Sequence, residues 1–303
     1  MAGVITTANH PKLLWPGLAA LFGTTYNDLP VVGDRVFDVR ESSKAYEEIQ
    51  ELWGFGLAST KTEGGAIAYT STNQGPTARF TNVTYGLGFI ETFESVDDNQ
   101  YKDRATDRTV ALARSMRHTR ETILANIFNR AFNSSYTGSD GKKLIATDHT
   151  SPYGSQSNGL ATDADLSEAS LEDMLINIMN ATDATGLRIS LKPKQLVVSP
   201  SEAFNSQRIL KSNLQNDTPN NAINAINSMG IFGSGPIVWP FLTDTDAWFV
   251  TTDVPNGLTA FDRMKAALAK DSDFDTGNYK HKAVFRLSAG WGDWRGLYGS
   301  QGA

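Results

Sequence analysis

Residues 99–132 read NQYKDRATDRTVALARSMRHTRETILANIFNRAF, with no Gly or Pro among them. The run predicts a single helix, roughly 50 Å long at about 1.5 Å rise per residue. Asp97, Asp98 and Asn99 supply capping oxygens and negative charge at its start, where the helix dipole favours them. Asn133-Ser134-Ser135-Tyr136-Thr137-Gly138 ends it. Val110, Ala113, Met116, Leu124, Ile127, Phe128 and Ala131 recur at three- and four-residue steps, so one side is apolar. Arg117 and Arg120 fall inside that stripe, which excludes a simple heptad seam. Two readings follow. The segment is the longest helix of an ordinary α/β domain, or it is a strut to which strands from both chain ends are fastened.

The arginines on this helix differ in their surroundings. Arg104 and Arg108 point away from the stripe, toward solvent or nucleic acid. Arg120 sits amid Met116, Ile123, Leu124 and Ile127. Its stem snorkels along the apolar face, or its charge needs a carboxylate, which another chain could supply.

Composition narrows the possible functions. A chain of 303 residues, 40% hydrophobic and 20% charged, has the profile of a folded globular protein with a sizeable core. A net charge of −6 argues against a general nucleic-acid binder but leaves room for a local basic face. With no cysteine, disulfides, thiol catalysis and cysteine-bound metal are excluded. The start carries no basic n-region, and Pro16-Gly17 interrupts the short apolar run 13–22, which is too little for a signal peptide or membrane span.

Outward from the helix, the N-terminal side reads as an arm over 1–11, a short helix over 12–22, and a brief strand over 34–40 with Val36 and Val39 inward. Residues 45–57 and 66–71 read as strands about the turn signal Glu63-Gly64-Gly65, followed by a polar stretch over 72–77. Val83, Tyr85, Leu87, Phe89 and Phe93 then alternate with small or polar residues. An isolated hairpin is marginal in water, so this extended β-arm must lie on a neighbouring subunit or on its own domain.

Downstream, 137–162 is a long polar connection. Asp165-Leu166-Ser167-Glu168 opens a helix with the stripe Leu171, Met174, Leu175, Ile178 and Met179, and Gly186 lies past its end. A strand over 195–199 leads into Ser199-Pro200-Ser201-Glu202, which predicts a capping box and a helix to about Lys211. Strands over 237–239 and 247–251 complete a compact α/β unit. A short strand over 258–261 and a clear one over 282–291 follow, the latter with Ala283, Phe285, Leu287, Ala289 and Trp291 on one face.

Catalytic and ligand-binding patterns are weak. His10, His118, His149 and His281 are scattered, without metal-ligand spacing. Thr147-Asp148-His149-Thr150 lacks a nucleophile elbow and reads as a loop. Asp271-Ser272-Asp273-Phe274-Asp275 begins like a calcium loop, but Gly277 comes one place late and Lys282 replaces the bidentate glutamate, leaving a solvated acidic turn. The clusters at 64–65, 230–235 and 138–143 lack phosphate-loop and dinucleotide patterns. Neither a catalytic residue nor a cofactor or metal site is expected.

The order of arm, β-arm, long helix, compact α/β unit and late strand resembles the major capsid proteins of tailed bacteriophages with the Hong Kong 97-like fold. Trp53-Gly54-Phe55-Gly56-Leu57, Leu144-Ile145-Ala146-Thr147-Asp148-His149, Asn158-Gly159-Leu160, Leu196-Val197-Val198-Ser199-Pro200 and Trp294-Arg295-Gly296-Leu297-Tyr298-Gly299-Ser300 look like segments of that family. The resemblance implies an α+β chain with an N-arm (1–43), an extended β-loop and its return strand (44–97), a peripheral domain with a spine helix (98–163), a compact α/β axial domain (164–257), and strands returning to the peripheral domain followed by the C-terminus (258–303).

It also implies a non-enzymatic subunit whose pentamers and hexamers close an icosahedral shell around double-stranded DNA, held by non-specific contact. A separate scaffold, a portal and decoration proteins would be partners, and no membrane is involved. Such a shell assembles in the cytoplasm of a bacterial host. Lys61 and Glu63 at the loop tip, with Arg117 and Arg120 on the spine, are the candidate subunit-interface residues. Lys61 corresponds in position to the crosslinking lysine of some relatives, but no partner asparagine or catalytic carboxylate is identifiable. The alternatives are an encapsulin-like nanocompartment shell, which shares the fold, and, remotely, an α/β hydrolase with a site near His149.

Overall fold

The computed structural model describes residues 14–94, 101–214 and 222–303. The expected arm over 1–11 and the capping residues Asp97, Asp98 and Asn99 lie outside these, as does the side chain of Arg104. In chain order the elements are α1 (Leu14–Asp28), α2 (Gly33–Val36), β1 (Asp38–Glu41), β2 (Tyr46–Trp53), β3 (Asn73–Thr81), β4 (Val83–Glu91) and the long helix α3 (Tyr101–Asn129). Then come β5 (His149–Ser151), β6 (Gly154–Gln156), α4 (Glu168–Met179), β7 (Pro193–Val198), α5 (Ala203–Lys211), α6 (Ala225–Ser228), β8 (Ile237–Val238) and β9 (Trp248–Thr252). The chain ends with β10 (Leu258–Ser272), β11 (Tyr279–Trp291) and β12 (Leu297–Ser300).

Two four-stranded sheets meet along α3. The first runs β1-β10-β11-β4, with β1 parallel to β10 and the other pairs antiparallel. Its inward residues Ala283, Phe285 and Leu287 pack on Leu112, Ala113 and Met116 of α3 and on Phe22 of α1. The second runs β12-β9-β7-β8. One of its faces places Leu196, Val198, Trp248 and Val250 against Leu171, Met174, Leu175 and Ile178 of α4. Its other face meets the C-terminal half of α3, where Phe128 packs edge-on against Trp239 and Phe249 at 5.3 and 5.1 Å. Each such buried aromatic or leucine contributes about 1.5–3 kcal/mol. One helix therefore backs both sheets, which is the strut reading.

Polar ties fix the same crossing. Glu121 of α3 accepts from the Gly33 amide and from the Trp239 indole, both at 3.1 Å. Burial pushes its carboxyl above the ordinary range, and these donors together with Arg117 pull it back. A Cβ on Gly33 would sit 2.3 Å from Leu124, so only glycine allows α2 to lie this close to α3.

Several expectations are corrected. Residues 66–71 are not a strand; the partner of β2 is β3, which contains Gly75 and Pro76. The β2–β3 ladder shifts register between Gln50 and Leu52, so Gly75 and Pro76 fall at a bulge, where a missing N–H costs little. Residues 33–36 form a helical turn before β1, and Val39 is exposed while Val36 is buried. Helix α1 runs on to Asp28, and the polar connection contains the small hairpin β5–β6.

The box at Ser199 does not form. Its hydroxyl instead donates to the Thr245 carbonyl, Glu202 accepts from Asn205, and a 3-10 turn precedes α5. Strand β10 is far longer than the expected 258–261 because its second half pairs along β11. The last strand, β12, joins β9 in the second sheet.

Candidate assembly surfaces

The β2–β3 hairpin is fixed at its base and bare at its tip. At the base, Phe80 packs on Phe261 at 5.2 Å, with Ala78 and Ile49 alongside. Glu51 reaches Arg295 at 3.4 Å. Burial raises the Glu51 carboxyl, Asp293 adds to that, and Arg295 offsets it. A Cβ on Gly75 would lie 2.6 Å from the Trp53 indole nitrogen, so the bulge and that ring are fitted to each other.

Beyond Trp53 the chain has no strand until Asn73. Lys61 and Glu63 lie on this tip, both exposed, where Gly64 takes φ +74° and the Gly65 amide donates to the Thr62 carbonyl at 3.0 Å. The tip is richer in exposed apolar side chains than its polar sequence signals suggest. Leu57 is 88% and Tyr69 93% exposed, and Phe55 and Ile67 are also uncovered.

The two spine candidates are placed differently. Arg120 is 7% exposed and bonded to Asp262 at 2.5 Å and Asp34 at 2.7 Å, so its carboxylates come from its own chain. Burial alone would lower its pKa; these carboxylates hold it above the ordinary guanidinium value. Arg117 is also buried and lies over the Tyr26 ring at 5.0 Å. The structure does not bring this pair together with Lys61 and Glu63; Arg117 and Arg120 are internal ties. Arg108 reaches Glu91 at 3.4 Å rather than pointing only to solvent.

Two hubs were missed from sequence. Arg295, 3% exposed, donates to the Thr182 carbonyl at 2.9 Å and to Gln156 at 2.7 Å, and also meets Asp293 and Glu51. It binds the hairpin base, the β5–β6 loop and the C-terminal segment into one cluster. Asn158 accepts from the Ala146 amide and donates to the carbonyls of Leu144, Trp294 and Leu297. Their only sequence signal was position within the segments 158–160 and 294–300.

His149 belongs to this hub. It is fully buried, stacked on Trp294 with ring centroids 4.1 Å apart, and held between Asp140 at 2.6 Å and Asn158 at 3.1 Å. Burial alone would raise Asp140, but the bond to His149 and the Lys142 amide hold it below the ordinary range. No substrate can reach an imidazole so enclosed. Among the described residues no group of three or more acidic or histidine side chains could hold a metal, and no helix is long and apolar enough to cross a membrane.

Comparison with known proteins agrees with this architecture. A sequence profile of the family described as "Phage capsid protein" matches residues 44–300. The fold is similar to a chain of Mycobacterium phage Patience (TM-score 0.56, 10% identity, covering 98% of this chain and 89% of that one). It is similar also to the virus-like particle from Pyrococcus furiosus (TM-score 0.55, 9% identity, 94% and 98% covered). A third likeness is to the capsid of an empty GTA particle (TM-score 0.53, 11% identity, 100% and 93% covered). No curated protein sequence matches. The profile spans the hairpin, the long helix and both sheets, and this chain accordingly belongs to the phage capsid protein family, as a structural major capsid protein of Hong Kong 97-like fold.

Proposed function

We propose that pentamers and hexamers of this chain close an icosahedral shell around double-stranded DNA, and that the β2–β3 tip, with Lys61 and Glu63, lies across an adjacent subunit. The carrying observation is the anchored hairpin whose tip leaves Leu57 and Tyr69 almost fully exposed. Such a segment buries its apolar area only against another copy. In this reading 1–43 is the N-arm, 44–97 the extended loop, 98–163 the peripheral domain and 164–257 the axial domain, with 258–303 returning. The subunit works by distributed binding energy over large interfaces and is not an enzyme. It assembles in the cytoplasm of a bacterial host, with a separate scaffold and a portal, and decoration proteins can bind the finished shell. DNA contact is non-specific and comes from local basic residues, because the chain carries a net charge of −6.

Expression of the chain, alone and with a scaffold, followed by light scattering and negative-stain microscopy, tests this. Capsomers, shells or tubes are expected. A monomer under all these conditions overturns it. The nanocompartment alternative is less favoured because the family profile is that of phage capsids; packaged protein in place of nucleic acid would revive it.

A further inference from the structure

The turn between β10 and β11 is an acidic finger with an aromatic end. Phe274 is 100% exposed and flanked by Asp273 and Asp275. The turn is closed by bonds from the Asp273 amide to Asn278 at 2.9 Å and from the Gly277 amide to Asp273 at 2.8 Å. Gly277 takes φ +71°, and Phe93 packs beneath it. Lys280 holds Asp273 at 2.7 Å, while Asp271 and Asp275 are exposed. A large apolar side chain presented this way on a closed turn has no role inside the subunit.

A complementary surface lies at the other end of the same sheet. A groove of about 490 Å³ runs between the C-terminal half of α3, β4 and the end of β11. Tyr85, Ile123, Ile127 and Tyr136 line it, Arg79 and Arg130 border it, and it has no acidic lining residue. Arg79 is shared with Glu48 at 2.8 Å. Arg130 lies over the Tyr136 ring at 4.4 Å and pairs with no carboxylate among the described residues.

We infer that this groove receives the Asp273-Phe274-Asp275 finger of a second copy of the chain, with Phe274 among the apolar residues and Asp275 toward Arg130. This rests on the shell reading above and names one contact within it. The finger cannot fill its own groove: at about 3.4 Å per residue, β11 from Tyr279 to Leu287 separates the two by roughly 27 Å. The contact joins two different surfaces of the subunit; made head-to-tail it propagates from copy to copy until a ring or shell closes, whereas a reciprocal two-fold pairing would stop at a crosslinked dimer. Charge selects the occupant. The β2–β3 tip carries Lys61 and Glu63 together, and the N-terminal segment carries Lys12 and His10, so neither complements a basic rim.

The absence of cysteine allows a direct test. Thr276 beside the finger and Thr137 at the groove are both exposed. The variant Thr276→Cys/Thr137→Cys, assembled and treated with a short bismaleimide, should give a ladder of covalent oligomers, and neither single variant should. Particles with no ladder overturn this contact and leave the capsid reading intact. Monomers with no ladder overturn both. Independently, Arg130→Glu and Asp275→Lys should each raise the subunit concentration needed for assembly about tenfold, without moving the melting temperature of the free subunit. The double variant should recover most of that loss. No recovery overturns the pairing of Asp275 with Arg130. Phe274→Ser assembling like the parent overturns the docking of the ring.

Discussion

Arg120 Nη1 lies 2.5 Å from Asp262 Oδ1, joining α3 to β10 across the first sheet, while Nη2 holds Asp34 at 2.7 Å. One guanidinium thus ties the segment before the hairpin, the long helix and a strand from the end of the chain. Removing it leaves Asp262 little exposed and without its cation, a situation that costs several kcal/mol. Arg120→Ala should destabilise the free subunit by about 2–5 kcal/mol, read as a shift in denaturant midpoint. A change below about half a kilocalorie would mean that the side chain only snorkels. Because both carboxylates are internal, the loss should appear before any assembly.

How far this was legible from sequence depends on where each element's determinants lie. The long helix, β4 and β11 announce themselves through local periodicity, and the structure has all three. Strand β10 does not: Arg263, Met264, Lys265, Ala266, Ala267, Leu268, Ala269 and Lys270 are mostly good helix formers. Pairing with β11, with register shifts at Asp262/Met264 and Met264/Ala267, overrides that preference. Strand β3 was misplaced because Gly75 and Pro76 read as a turn, and only the partner strand reveals a bulge. Of the site, Lys61 and Glu63 could be read from a turn signal. Arg295 and Asn158 could not, since their partners lie in segments distant in sequence.

Asn158 gives the second prediction. Its carboxamide satisfies the Ala146 amide, three carbonyls and one nitrogen of His149. Asn158→Ala should leave several buried groups unpaired and cost about 2–4 kcal/mol. Asn158→Asp should be worse, because a carboxylate would face the carbonyls of Leu144 and Leu297. Thermal melts check both. The same hub bears on the hydrolase alternative: His149→Ala should lower stability, and esterase activity lost in parallel with an unchanged melt would contradict that.

A pH dependence follows from His281. It is buried in the first sheet, stacked on Phe89 at 4.8 Å, and burial with Lys270 nearby pushes its pKa down to about 4. The unfolded imidazole titrates near 6.5. Between these values the unfolded state binds the proton more readily, so acidification favours unfolding, by up to about 1.4 kcal/mol per pH unit. The stability is present above about 6.5 and lost as pH falls toward about 4. Glu91, 3.5 Å away and also near Arg108, works the other way: burial raises its carboxyl, so protonation relieves a buried charge. The test is therefore differential. Wild type should lose more stability than His281→Gln between about pH 6.5 and 4. Parallel curves would show that His281 is not the group responsible.

The hairpin tip separates folding from assembly. Residues from 54 to 72 have no strand pairing and leave Phe55, Leu57, Ile67 and Tyr69 exposed, so their removal takes little buried apolar area from the subunit. The cut must stop before Asn73, because Gly75 and Pro76 belong to β3 and lie against Trp53. Replacing 55–71 by a short glycine-serine turn should therefore change the subunit's stability by less than about 1 kcal/mol. Assembly should fail, since an exposed apolar tip of this kind has its partner on another copy. Limited proteolysis supplies the complementary reading: the tip should be cut readily in free subunits and protected in particles. Equal cleavage in both states, or normal particles from the shortened chain, would show that the tip makes no contact that assembly needs.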